Sequence, residues 1–63
     1  MTICKMLATA KRDDDTITAY ELCDKFSAVP RYEITVSRDG IARLVQPTAK
    51  TTWKKRFKEM ANI

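Results

Sequence analysis

The segment from Arg31 to Gln46, RYEITVSRDGIARLVQ, constrains the fold more than any other part of the chain. Apolar side chains alternate at Tyr32, Ile34 and Val36, which is typical of a strand with one buried face. Gly40, the only glycine in the protein, follows where a tight turn needs a positive φ. A second β-branched run comes directly after it. The segment therefore predicts a β-hairpin.

Two registers are available to this hairpin. A two-residue loop would place Val36 opposite Arg43 and so turn an arginine towards the core. A three-residue loop, Arg38-Asp39-Gly40, separates apolar from polar side chains better, and we predict that register. Its pairs on the core face are Val36 with Ala42, Ile34 with Leu44 and Tyr32 with Gln46.

A helix is predicted between Thr18 and Val29. Thr18 and Glu21 have the spacing of a capping box, in which the hydroxyl and the carboxylate each accept from the other residue's N–H. An apolar stripe of period 3.6 follows. Pro30 disfavours helical geometry at Val29, so the helix should end before it. The stripe consists of Ala19, Leu22, Cys23 and Phe26.

A second, amphipathic helix is predicted within residues 48–63, TAKTTWKKRFKEMANI. Trp53, Phe57 and Met60 form its apolar stripe, and we interpret them as core residues. Thr51 or Thr52 is the expected N-cap. Pro47 ends the preceding strand because it has no N–H to donate.

The first ten residues form an ordered segment whose type the sequence leaves open. Ile3, Met6 and Leu7 fit a helical stripe or a short strand with a bulge. The run Lys11–Asp15, KRDDD, is interpreted as a charged connector whose acidic side chains favour the start of a following helix. Residues 1–63 are thus predicted to form one small α+β domain: an ordered N-terminal segment, a helix, a β-hairpin and a C-terminal amphipathic helix.

Charge is distributed unequally along the chain. The net charge of +4 divides into −1 for residues 1–30 and +5 for residues 31–63. An anionic partner is therefore expected to meet the second half. Lysine and arginine side chains that contact phosphates release counterions from nucleic acid. We predict a small regulatory protein that binds nucleic acid through the hairpin and the C-terminal helix, with the candidate residues Arg31, Arg38, Arg43, Lys50, Lys54, Lys55, Arg56 and Lys58.

The nucleic-acid-binding form could be a homodimer, which would help so small a domain to be stable. Two alternatives accompany this prediction. The chain could be a protein–protein interaction module, an inhibitor or adaptor that docks on a larger protein through a hairpin edge or through Tyr20 and Tyr32. A weaker hypothesis is peripheral membrane binding through the basic helix.

Catalytic chemistry finds little support. The chain has no histidine to activate Cys23, and its two cysteines do not form a zinc motif. Asp13, Asp14 and Asp15 are adjacent on a connector and would not converge on Mg²⁺. We expect no enzyme activity, no metal and no cofactor. Without a signal peptide or transmembrane segment, we interpret the protein as cytoplasmic, with Cys4 and Cys23 reduced.

Overall fold

The computed structural model describes residues 2–63, which form four β-strands followed by one α-helix. The strands are β1 (Thr2–Arg12), β2 (Asp15–Asp24), β3 (Ser27–Arg38) and β4 (Ile41–Thr48), and the helix is α1 (Trp53–Ala61). The antiparallel sheet has the order β1-β2-β3-β4, so β1 and β4 are its edges. α1 lies on one face, mainly against β1, β2 and β3. The predicted α+β arrangement of an ordered N-terminal segment, a helix, a β-hairpin and a C-terminal amphipathic helix is therefore wrong.

The helix predicted between Thr18 and Val29 is replaced by β2 and the beginning of β3. Ile17 and Ala19, two residues apart, are both buried, which is the period of a strand and not of a helix. The proposed capping box does not form, since Glu21 instead accepts a hydrogen bond from the Tyr32 hydroxyl. Phe26, assigned to the apolar stripe, is 86% exposed at the β2–β3 turn. Pairing with two neighbouring strands overrides the local helical pattern.

The N-terminal segment is a strand with bulges. The pairing of β1 with β2 shifts between Ile3 and Lys5 and again between Met6 and Ala8. These shifts let Ile3 pair with Leu22 and Met6 with Tyr20, so that both fall on the same face despite their spacing. The KRDDD run is not a connector to a helix, because Arg12 pairs with Asp15 across a tight turn.

The β3–β4 hairpin does not adopt the predicted register. Arg38 pairs with Ile41, so the loop is the two-residue Asp39-Gly40, with φ values of 54° and 77°. Positive φ at both positions matches the twist of a hairpin. The register then shifts by one residue between Val36 and Ser37, which brings Val36 opposite Leu44 and not Arg43. A bulge therefore keeps Arg43 from facing Val36 on the core side. We predict a three-residue loop for the same purpose, and the structure does not use it.

The core lies between α1 and the central strands. Ile17, Ala19 and Ile34 from the sheet pack with Phe57 and Ala61 from the helix. Trp53 and Met60 are half-buried against this cluster, so the apolar stripe predicted for the helix is confirmed. Ala42 and Leu44, assigned to the core, are both exposed. The bulge pairs Ala42 with Ser37 on the sheet face opposite α1, and Leu44 lies on β4, which α1 covers less than β1 to β3.

Cys4 and Cys23 form a disulfide between β1 and β2, with their Cα atoms 5.6 Å apart. The prediction that both thiols are reduced is therefore wrong for this structure. The two cysteines are 19 residues apart in sequence. With Cys23 on the predicted helix, this separation does not indicate that they lie close together. Once both segments are strands of one hairpin, the two residues lie at its open end, where Thr2 pairs with Cys23.

Candidate functional site: the basic face of the C-terminal helix

Four exposed basic side chains are concentrated on α1. The helix begins after Thr52, one of the two predicted N-cap residues, although no side-chain hydrogen bond caps it. Phe57 and Ala61 are buried against the sheet, which fixes the rotation of the helix about its axis. This rotation turns the opposite side to solvent, and the basic residues exposed there are Lys54, Lys55, Arg56 and Lys58.

A residue in the left-handed conformation closes the C-terminal end of α1. Asn62 adopts a left-handed conformation with a φ of 60°, and its N–H donates to the Glu59 carbonyl. The Ile63 N–H donates to the Lys58 carbonyl. Asparagine thus supplies the cap that glycine often provides. The Arg12 guanidinium also donates to the Met60 carbonyl at 3.2 Å, which ties the helix to β1.

The charge of α1 is almost uniformly positive. Glu59 is its only acidic residue against four basic ones. Among residues 2–63, the one ion pair joins Arg38 to Asp15, so the α1 lysines have no acidic side chain within ion-pair distance. The Lys54 ammonium lies 5.8 Å from the Trp53 ring centroid, which anchors the lysine stem at the start of the helix.

The hairpin arginines do not join this face. Arg38 Nε donates to Asp15 Oδ1 at 2.9 Å, and the hydrogen bond and the charge of Asp15 raise the pKa of Arg38. Arg31 pairs with Leu22, and the neighbouring pair in the sheet is Glu21 with Tyr32. Successive pairs alternate between the two faces of a sheet. Because Glu21 and Tyr32 lie on the face that carries α1, Arg31 belongs to the opposite face. Arg43 is exposed on the edge strand β4. The structure therefore separates the predicted site into a compact helical part and dispersed arginines.

Lys50 and Arg31 both line a different feature, an open groove of about 870 Å³. The groove lies where β3 departs from β2: the pairing passes from Leu22–Arg31 to Asp24–Ser27, so that residues 28–30 bulge outward. Tyr32 and Glu21 line it, and the Tyr32 hydroxyl donates to Glu21 Oε2 at 2.8 Å. This hydrogen bond, with burial and the negative charge of Glu21, raises the pKa of Tyr32.

The helix predicted over residues 18–29 is incompatible with this groove, which needs β2 and β3 to be paired strands. The signal was present in Pro30, which cannot donate to a ladder and so favours a bulge at that point of β3. Tyr32, considered as an exposed anchor for a partner, is buried, with 7% of its surface accessible. It supports the groove and does not project from the surface.

Other site types are not found in the part of the chain that the structure describes. No group of three histidine, cysteine or acidic side chains is arranged to hold a metal ion. Of the three consecutive aspartates, Asp15 pairs with Arg38, and Asp13 occupies the β1–β2 turn with a φ of 56°. Over residues 2–63, no helix is long and apolar enough to cross a membrane.

Comparisons with protein-family models, with curated proteins and with solved structures each find no match.

Proposed function

We propose that the protein binds the phosphate backbone of nucleic acid through the exposed face of α1. The observation that supports this most strongly is the set Lys54, Lys55 and Lys58 on a helix whose other side is fixed in the core. A rigid helix presents its charges without the ordering cost of a flexible tail. Arg56 is also exposed on α1, one residue after Lys55.

The hairpin has a smaller part in this proposal than the sequence alone suggested. Arg38 is engaged with Asp15, and three aspartates surround the hairpin tips. A phosphate backbone would be repelled there. We therefore assign binding to Lys54, Lys55, Arg56 and Lys58, and we assign Arg38 to structure.

The apolar side of α1 argues against the membrane hypothesis. A helix that binds a bilayer surface inserts its apolar side between headgroups. In this protein that side carries Phe57 and Ala61, which are buried against the sheet. Only the basic side of α1 is free to contact a partner, and the negative charge of a phosphate backbone is complementary to it.

The test is a titration of labelled duplex DNA and of single-stranded RNA over a series of salt concentrations. The triple variant Lys54→Ala, Lys55→Ala, Lys58→Ala should lower the slope of log K against log salt by about 2 to 3 for a duplex. The matched control is Lys5→Ala, Lys11→Ala, Lys25→Ala, which removes the same charge elsewhere and should change the slope less. Equal slopes for the two variants, or no binding at low salt, would contradict the proposal.

Docking on a larger protein is a second candidate function, supported by the groove. Phe26 and Val29 are 86% and 73% exposed at the β2–β3 turn and the adjoining bulge. Large apolar side chains on a turn beside a groove are typical anchors for a partner. A stoichiometric partner that remains bound at high salt after nuclease treatment, and that Phe26→Ala releases, would favour this function over the first.

A further inference from the structure

A small apolar cleft lies beside the basic face of α1, between the helix and β1. Its volume is about 340 Å³, near the lower end of the range of about 300–1000 Å³ for pockets that bind small molecules. Its walls are mainly apolar. The cleft therefore suits a small planar group better than a large ligand. The residues that line it are Ala8, Trp53, Lys54, Phe57, Lys58 and Ile63.

The helical spacing of these residues gives the cleft an aromatic wall and a basic rim. Trp53 and Phe57 are one turn apart on α1, and so are Lys54 and Lys58. Phe57 is buried in the core, whereas Trp53 is only half-buried. Both lysines are exposed. The rise of an α-helix, about 1.5 Å per residue, separates them by about 6 Å along the axis, so each can contact a different phosphate.

One face of the Trp53 ring is open to solvent. The Lys54 ammonium lies over it, 5.8 Å from the ring centroid, and Lys54 is exposed. A cation in this position occupies the place that a stacked group would take. An exposed cation–π contact is weaker than the stacking of a nucleobase on an aromatic side chain. A base can therefore displace the Lys54 ammonium, which is then free to contact a phosphate.

We propose that this cleft takes one base of single-stranded nucleic acid, stacked on Trp53, while Lys54 and Lys58 contact the flanking phosphates. The proposal rests on the proposed function of α1 and specifies the form of nucleic acid that it binds. Bases of a duplex are stacked on one another, so an unpaired strand is needed to present a free base to an aromatic ring. Proteins that bind single strands combine basic side chains with aromatic ones in this way.

Phe26 provides a matched comparison for Trp53. Its ring is 86% exposed, and the Lys25 ammonium lies 5.1 Å from its centroid. It therefore has the same kind of cation contact as Trp53, but it lies at the β2–β3 turn and does not line the cleft. Phe26→Leu removes this ring. Trp53→Leu removes the ring in the cleft and keeps an apolar side chain there.

The experiment compares oligothymidine with an abasic oligonucleotide that has the same number of phosphates, both at low salt. Trp53 is the only tryptophan in the chain, so tryptophan fluorescence reports on this ring alone. Oligothymidine should quench the fluorescence of the wild type, after correction for absorption by the bases, and the abasic oligonucleotide should not. The Kd for oligothymidine should be lower by at least about fivefold, the lower limit for one stacked base.

The variants are compared by the anisotropy of labelled oligonucleotides. Trp53→Leu should bind the two oligonucleotides with nearly equal Kd values. Trp53→Phe, which keeps an aromatic ring, should restore part of the preference for oligothymidine, and Phe26→Leu should keep all of it. Circular dichroism identifies a variant that fails to fold, and the quenching and Kd values of the wild type then decide the outcome.

Two results would overturn the stacked base and leave the proposed function in place. One is an equal Kd of the wild type for the two oligonucleotides, which would favour an apolar side chain of a protein partner as the occupant of the cleft. The other is a preference for oligothymidine that Phe26→Leu loses and Trp53→Leu keeps. If neither oligonucleotide nor a duplex binds at low salt, the proposed function fails and the stacked base fails with it.

Discussion

Arg38 and Asp15 are joined side by side on neighbouring strands, where Arg38 Nε donates to Asp15 Oδ1 at 2.9 Å. The two residues are 23 positions apart in sequence. Arg38 is the last residue of β3, and Asp15 is the first of β2. Their contact links the two hairpin tips at one end of the sheet. Arg38, which the sequence predicts to bind nucleic acid, therefore has a structural role.

Arg38→Ala should therefore lower the stability of the fold. Both side chains are partly exposed, at 40% and 27%, so the effect should be modest, about 5 °C or less in Tm. The decrease should shrink in high salt, which screens the pair. Thermal unfolding at low and high salt measures it, with Arg43→Ala as the unpaired control. An identical effect of the two variants would contradict the structural role of the pair.

Gly40→Ala should destabilise the protein by about 1 kcal/mol through the backbone alone. Gly40 has a φ of 77°, and a Cβ added there would meet no atom within 4 Å. The cost is thus conformational and not steric. Asp39→Asn is the matched change, because asparagine also tolerates the left-handed conformation that Asp39 adopts at a φ of 54°. Urea unfolding should show a lower midpoint for the first variant and little change for the second.

Alanine substitutions at Phe57 and Phe26 test which of these two rings belongs to the core. Phe57→Ala removes a buried ring and should cost about 3–5 kcal/mol, enough to unfold a domain of this size. Phe26→Ala removes a ring that is 86% exposed and should leave stability nearly unchanged. Circular dichroism and urea unfolding compare them. An unfolded Phe26→Ala protein would contradict the exposed turn and favour the helix that the sequence predicts between Thr18 and Val29.

Tyr32 should make stability depend on pH in the alkaline range. The hydrogen bond to Glu21 raises the pKa of Tyr32 above its ordinary value, so folding favours the neutral phenol. The contribution is then fully present below the unfolded pKa of about 10. It is lost as the pH rises through the folded pKa. Urea midpoints near neutrality and above the phenol pKa should show that the advantage of the wild type over Tyr32→Phe disappears at high pH.

Tyr20→Phe is the control for this measurement, since Tyr20 lies on the opposite face and has no hydrogen bond to Glu21 in the structure. The difference in urea midpoint between Tyr20→Phe and the wild type should be smaller than that of Tyr32→Phe near neutral pH. A Tyr32→Phe difference that is equal at the two pH values would exclude the role assigned to the Tyr32–Glu21 contact.

Removal of the disulfide should reduce stability by about 3 kcal/mol on the loop-entropy account, given a separation of 19 residues. The double variant Cys4→Ser, Cys23→Ser and the reduced wild type should show the same decrease in urea midpoint. Thiol titration of the unfolded, unreduced protein should find no free thiol, and reduction should expose two. Two free thiols in the protein as purified would contradict the bond.

Part of this structure followed from the sequence. The β3–β4 hairpin, its turn at Gly40 and the apolar side of the C-terminal helix are confirmed, because each rests on short-range chemistry. Each of these patterns can be recognised within a single strand, turn or helix. They are the alternation of apolar side chains in β3, the glycine with positive φ in the turn, and the apolar stripe around Phe57. The exposure of Lys54, Lys55 and Lys58 follows from the same stripe.

The remaining features were decided by tertiary structure. Residues 18–29 carry a helical pattern, yet pairing with β1 and β3 makes them strand, since β-structure depends on neighbours far away in sequence. The bulge that keeps Arg43 out of the core, the Cys4–Cys23 bond and the Arg38–Asp15 pair all arise from that sheet. The sequence by itself determined which residues could form a basic helix face. Only the packing of α1 on β1 to β3 decided that this face stands apart from the hairpin arginines.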